Sequence, residues 1–185
     1  PPSIKYTPKD PSKVATGIAI GENTFVRTGG LMVGTHNYRG ALGDVTVDSA
    51  NIRVTGLNIN STTLGTNSYN GGAFATITGA YSIASSDYNG GTSGVAKAGK
   101  NFGATIMGSL NSVESATASS NYSGVANSIV GTANRTFNSN GSLIFGAGNE
   151  ITNSVTTINA PTSAGDSAKA LQDKLMTAIK SSNSG

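Results

Sequence analysis

The chain has 185 residues with 25 glycines, no cysteine, no tryptophan and only 11% charged residues, a composition that excludes disulfide staples and thiolate chemistry. A formal net charge of +3 over 12 scattered cations reads as surface solubility rather than a nucleic-acid footprint, and no run reaches the roughly 20 apolar residues that cross a bilayer. With 36% hydrophobic residues in a regular pattern, the chain can bury a core, so it reads as folded rather than disordered.

Residues 1–13 contain Pro1, Pro2, Pro8 and Pro11 and predict an extended leader, because each proline fixes φ and removes a donor. The one cluster of cations, Lys5, Lys9 and Lys13, lies there. A start at Pro1 without Met or signal peptide reads as that of an excised or mature segment.

From Val14 a short unit recurs: two or three apolar residues, a glycine, then a polar turn. It appears as Ile18-Ala19-Ile20-Gly21, Leu31-Met32-Val33-Gly34, Ile77-Thr78-Gly79, Ile106-Met107-Gly108, Ile129-Val130-Gly131 and Leu143-Ile144-Phe145-Gly146. Gly34, Gly108, Gly131 and Gly146 open Gly-X-X-Asn tetrads that end at Asn37, Asn111, Asn134 and Asn149. These asparagines, with Gly21, are turn residues: glycine allows positive φ, and asparagine tolerates the left-handed conformation and bonds its own turn. Stacked in successive rungs, the asparagines would form an amide ladder.

Gly21 and Gly34 stand 13 residues apart, and Gly131 and Gly146 stand 15 apart. A unit of that length, at about 3.3 Å per residue, holds two short strands and two tight turns but not a helix and a strand. In the first unit Glu22 to Thr24 turns the chain, Phe25 and Val26 form the return side, and Gly29-Gly30 turns it again. Longer intervals predict degenerate rungs or loops. In residues 40–72, Val45-Thr46-Val47, Ile52-Arg53-Val54 and Leu57-Asn58-Ile59 alternate as two divergent rungs or an inserted hairpin would. A weak rung is expected around Val95-Ala96, and a small-residue loop over 115–123.

Alternation within the glycine-ended strands sets their environment. Two residues before the six glycines stand Ala19, Met32, Ile77, Ile106, Ile129 and Ile144; one residue before stand Ile20, Val33, Thr78, Met107, Val130 and Phe145. Adjacent strand positions face opposite ways, so both faces are apolar. One face fills the interior of a thin coil, and the other needs a covering. Loops of the same chain are one covering; copies of the chain in a closed homo-oligomer, with these strands facing its axis, are the economical one. Ile18, Ile20, Met32, Ile106, Ile129 and Ile144 are the core and interface candidates.

After Gly148 the texture changes. Asn149 to Pro161 predicts an extended segment, and residues 168–179 predict the single helix, with Asp166 and the serines beside it as N-cap choices. Ala168, Leu171, Leu175 and Ala178 fall at 3 and 4 spacing with Ile179 beside them, a coiled-coil seam about two heptads long.

Over roughly residues 14–150 these repeats resemble the YadA-like head of trimeric autotransporter adhesins, whose repeats follow a Ser-Val-Ala-Ile-Gly pattern. Ile18-Ala19-Ile20-Gly21 and Ser142-Leu143-Ile144-Phe145-Gly146 carry the match. Asn149-Glu150-Ile151-Thr152-Asn153 is similar to the family's neck, and Asp166 to Gln172 to the start of its stalk. The resemblance implies an all-β left-handed parallel β-roll with leader (1–13), head (14–148), and neck with coiled-coil start (149–185). It further implies a homotrimer on the surface of a Gram-negative bacterium, attached to the outer membrane through an anchor domain outside this segment. The implied function is adhesion to host cells, extracellular matrix or other bacteria, without enzymatic activity, cofactor or nucleic-acid partner.

Chemistry-bearing residues are sparse. His36 is the only histidine, so a single chain cannot build a His-based metal cluster; it reads as a turn residue beside Asn37. Asp44 and Asp48 are the one close carboxylate pair, and turn chemistry outweighs glycoside cleavage for them. No phosphate-binding glycine motif occurs. Tyr69 and Tyr88 lie near the irregular segments and are the ligand-contact candidates, since tyrosine favours recognition surfaces. A trimeric phage tail-fibre segment is the alternative function. An ice-binding array ranks lower, because Thr76-Ile77-Thr78 is the solitary Thr-X-Thr.

Overall fold

The computed structural model describes residues 3–4, 17–22, 24–26, 30–37, 61–85, 101–115, 123–154, 157–158 and 168–182. Long strands β2 (Gly17–Ile20), β4 (Gly30–Thr35), β5 (Thr62–Thr66), β7 (Thr76–Ala80), β9 (Thr105–Ser109), β11 (Ser128–Thr132) and β13 (Leu143–Ala147) form one seven-stranded sheet. Short strands β6 (Tyr69–Asn70), β8 (Ile83–Ser85), β10 (Ser112–Glu114), β12 (Arg135–Phe137) and β14 (Glu150–Thr152) form a second sheet of five. Every pairing is parallel, and each strand pairs with its counterpart one turn of the coil away. The helix α1 (Ala168–Ser182) ends the described chain; it covers the predicted 168–179 and runs three residues further.

Two residues of the predicted leader join the strand pairing. β1 (Ser3–Ile4) pairs in parallel with β3 (Phe25–Val26), the return strand of the first rung. Extended backbone was expected there, and the rungs start earlier than Val14.

Glycine ends each long strand for a steric reason. At Gly131, φ is 138° and an added Cβ would lie 1.7 Å from the Gly146 carbonyl oxygen in the next rung. The same clash with the following glycine recurs at Gly21, Gly34, Gly65, Gly79 and Gly108. The rungs therefore stack at a separation that only a hydrogen side chain permits. Two residues later the backbone turns through the left-handed region at His36, Asn67, Tyr81, Leu110, Ala133 and Gly148. That conformation is uncommon for residues such as Tyr81 and Leu110. It is held because each turn N–H bonds a carbonyl of the previous rung, as Leu110 does with Ala80 at 3.0 Å.

Gly65 marks a rung that the spacing missed. Its strand pairs directly with both β4 and β7, so the 45-residue interval from Gly34 to Gly79 divides into 31 and 14. The inward position of this rung is Thr63 rather than an aliphatic residue, which hid it. The alternating segments Val45–Val47, Ile52–Val54 and Leu57–Ile59 lie outside the described residues, as do Val95-Ala96, Asp44 and Asp48. β4 and β5 are direct neighbours in the sheet.

One apolar cluster runs along the coil axis: Ala75, Ile77, Ala84, Ala104, Ile106, Val113, Ile129 and Ile144, with Ile151 packed against it. Met32 is buried at the same inward position of β4. The six core and interface candidates therefore divide. Met32, Ile106, Ile129 and Ile144 fill their own chain, whereas Ile18 and Ile20 stand exposed on the opposite face.

The last rung extends past the predicted head boundary at 148. Asn149 occupies its turn, and Glu150–Thr152 is β14, paired with β12. The segment expected to open a neck thus completes a rung. Beyond it, Ile158 joins Ala73, Phe102 and Val125 in a second cluster at the coil's third corner, with Phe74 and Ala126 beside them. Leu175, Ala178 and Ile179 of α1 pack on this cluster. The predicted coiled-coil seam consequently lies partly against the roll.

At the same corner Ser115 has one hydroxyl proton but two acceptors, the Asn101 carboxamide oxygen at 2.7 Å and the Ser123 carbonyl. Asn101 Nδ2 is buried without a partner among the described residues. Turning that carboxamide over lets Nδ2 donate to Ser115 Oγ while the hydroxyl proton serves Ser123.

Candidate interaction face

Two outward columns of the seven-stranded sheet form the most apolar surface of the described chain. Strand register places Ile18, Leu31, Thr62, Thr76, Thr105, Ser128 and Leu143 in one column and Ile20, Val33, Leu64, Thr78, Met107, Val130 and Phe145 in the next. None of these side chains is charged. Seven strands about 4.8 Å apart make this face about 29 Å long. Ile20 is 57% exposed, Met107 55%, Leu143 73% and Phe145 83%. The sequence asked for a covering over this face, and the single chain leaves these side chains in water.

Fully burying one such side chain is worth about 1.5–3 kcal/mol, so the six large exposed ones (Ile18, Ile20, Leu64, Met107, Leu143 and Phe145) represent on the order of 10 kcal/mol per chain. Association costs about 4–15 kcal/mol. The two magnitudes are comparable, and the face is more apolar than an ordinary solvated sheet.

The five-stranded sheet contrasts with it. Its outward column reads Tyr69, Ile83, Ser112, Arg135 and Glu150. Arg135 pairs with Glu114 on one side and with Glu150 at 2.6 Å on the other, and its guanidinium lies 4.9 Å from the centre of the Phe137 ring. The Glu114 hydrogen bond holds the Arg135 proton even more firmly than usual, so Arg135 stays charged at every physiological pH. Tyr69 is half-buried within β6 on this polar side; Tyr88 lies outside the described residues.

The turn residues build a continuous polar ladder along one corner. Thr24, Asn37, Ser68, Ser82, Asn111 and Asn134 each donate to the glycine carbonyl of the next rung: Asn37 to Gly65, Asn111 to Gly131 and Asn134 to Gly146, all at 2.7 Å. Their side-chain oxygens accept in turn, as Asn134 Oδ1 does from the Asn149 N–H at 3.0 Å. The expected amide ladder is present, and Thr24, Ser68 and Ser82 fill the steps that the Gly-X-X-Asn pattern left out. Asn149 ends it, giving its amide back to Asn134 at 3.1 Å. His36 is the half-buried turn residue beside Asn37.

Because Asn134 is buried and serves both neighbouring rungs, Asn134→Ala should cost about 1–3 kcal/mol, the penalty for orphaning buried partners. Asn134→Ser should recover part of the loss, since Ser68 and Ser82 occupy equivalent steps. Urea unfolding of the three chains checks the order; equal midpoints for wild type and Asn134→Ala would show that the ladder contributes nothing.

Among the described residues no group of three His, Asp or Glu side chains is placed to hold a metal ion, and no helix is long and apolar enough to cross a membrane. Thr62, Thr76 and Thr105 stack in one column, but Leu64, Thr78 and Met107 stand in the next. A paired threonine array of the ice-binding type is therefore interrupted. No protein-family model, curated protein or solved structure matches the chain.

Proposed function

We propose that this chain is the head of a homotrimeric surface adhesin of the trimeric autotransporter kind. Three left-handed parallel β-rolls stand side by side with their seven-stranded sheets turned to a common axis. The observation that carries the reading is the uncharged outer face from Ile18 and Ile20 to Leu143 and Phe145, exposed along seven strands in register. A second copy offers the same stripe, and a closed ring of identical chains removes it from water without leaving an open end. The five-stranded sheet, with Arg135, Glu114 and Glu150, then faces outward.

Attachment to host cells, matrix proteins or other bacteria follows from the resemblance of the repeats in residues 14–150. Physically, three identical weak sites on one rigid body gain avidity through effective concentration whenever a ligand surface spans them. Tyr69, on the outward sheet, and Tyr88 are the contact residues of this reading. Location on the Gram-negative outer membrane belongs to the same proposal.

An array of glycans and matrix proteins probed with the assembled chain tests it. Binding should appear with the wild type and fall sharply at equal chain concentration for Met107→Asp, whose charge blocks assembly. Equal binding by both chains would remove avidity from the account.

A further inference from the structure

The C-terminal helix meets the roll through residues that its own spacing sets aside for other helices. Leu175, Ala178 and Ile179 lie on the cluster of Ala73, Phe102, Val125 and Ile158. Ala168, Leu171, Leu175 and Ala178 form the self-association seam. Leu175 and Ala178 belong to both sets and cannot serve both at once.

The docked contact is shallow. Val125 and Ile158 are buried, yet the three helix side chains that cover the cluster are only half-buried. Elements held this lightly open without global unfolding. The same helix alone is marginal, since two heptads fall near the length at which isolated helices fray.

We infer that α1 is a releasable strap: in the single chain it lies on the third corner of its own roll, and on assembly its seam pairs with the α1 helices of neighbouring copies. This rests on the trimeric reading above. Tethering three helices to one body raises their local concentration to about millimolar, which makes bundling intramolecular, as docking already is, and lets it compete for Leu175 and Ala178. Release removes Leu175, Ala178 and Ile179 from the cluster of Ala73, Phe102, Val125 and Ile158.

Two residues separate the states. Ile179 touches the cluster but stands beside the seam; Leu171 stands in the seam and is not among the cluster's contacts. Ile179→Asp therefore weakens docking, and Leu171→Asp weakens bundling. The chain has no tryptophan, so Phe74→Trp, at a residue packed on the same cluster, supplies a single reporter.

Tryptophan emission and acrylamide quenching are measured with this full chain across a dilution series, with sedimentation of the same samples. On assembly the emission should shift to the red and quenching should rise. Ile179→Asp should show the red-shifted emission even when dilute, and Leu171→Asp should keep the blue-shifted emission when assembled. Assembly with unchanged emission overturns the strap and leaves the trimeric reading standing. A chain that stays single at every concentration overturns both, and sedimentation tells these failures apart.

Discussion

Gly131→Ala should abolish the folded coil or cost it more than about 4 kcal/mol, a loss reserved for a specific steric failure. The new Cβ would stand 1.7 Å from the Gly146 carbonyl oxygen and 3.0 Å from Asn134 Nδ2. Neither atom is free to yield, since the first is backbone of the next rung and the second is held by the ladder. The φ of 138° is also one that L-residues rarely adopt. Gly148→Ala is the control. It sits at φ 69° with open space around it, and Ala133 already occupies the equivalent place one rung earlier at φ 55°. Its cost should stay near 1–2 kcal/mol, the usual penalty for a left-handed residue. Urea unfolding followed by far-ultraviolet circular dichroism compares them. A wild-type midpoint for Gly131→Ala would show that the rungs are spaced more widely than described.

Ile106→Asp and Met107→Asp should fail in different ways although they are neighbours in β9. Ile106 is 1% exposed within the core, so an aspartate there is a buried charge without a partner and unfolds the chain. Met107 points outward from the same strand, and its aspartate is solvated in a single chain. Met107→Asp should keep the β circular dichroism signal and lose assembly. If both variants unfold alike, the outer face is part of the single-chain core and the assembly argument fails.

Much of this division was legible in the sequence, because glycine stacking and period-two alternation are local signals. The glycines Gly21, Gly34, Gly79, Gly108, Gly131 and Gly146 and the turns at Asn37, Asn111, Asn134 and Asn149 are where the spacing put them, but the left-handed residue of each turn is the one before, His36, Leu110, Ala133 or Gly148, and the asparagine amides bond the neighbouring rung rather than only their own turn. The oppositely facing residues before the glycines are resolved as one buried and one outward at Met32, Ile77, Ile106, Ile129 and Ile144, while Ala19 in β2 is half-buried. Gly65 escaped because Thr63 and Ser68 replace the aliphatic residue and the asparagine, while hydrogen bonding rather than hydropathy keeps that rung in register.

The third corner was not readable. Phe102 and Val125 come together only because Asn101 and Ser123 belong to adjacent turns of the coil, and the irregular intervals before them conceal that adjacency. The same is true of Ile158 and the helix. A seam written in heptads does not reveal that its own roll offers Leu175 and Ala178 an apolar seat. β14 was misplaced for a simpler reason: Glu150 and Thr152 are exposed at the coil's end, so the strand lacks the apolar pair that marked the others.

Sedimentation equilibrium of the wild-type chain and Met107→Asp at micromolar concentration tests the central claim, that the uncharged face from Ile20 to Phe145 is sealed by identical chains. Three chain masses are expected for the wild type and one for folded Met107→Asp. A folded wild type sedimenting at one chain mass, with that face in water, would contradict it.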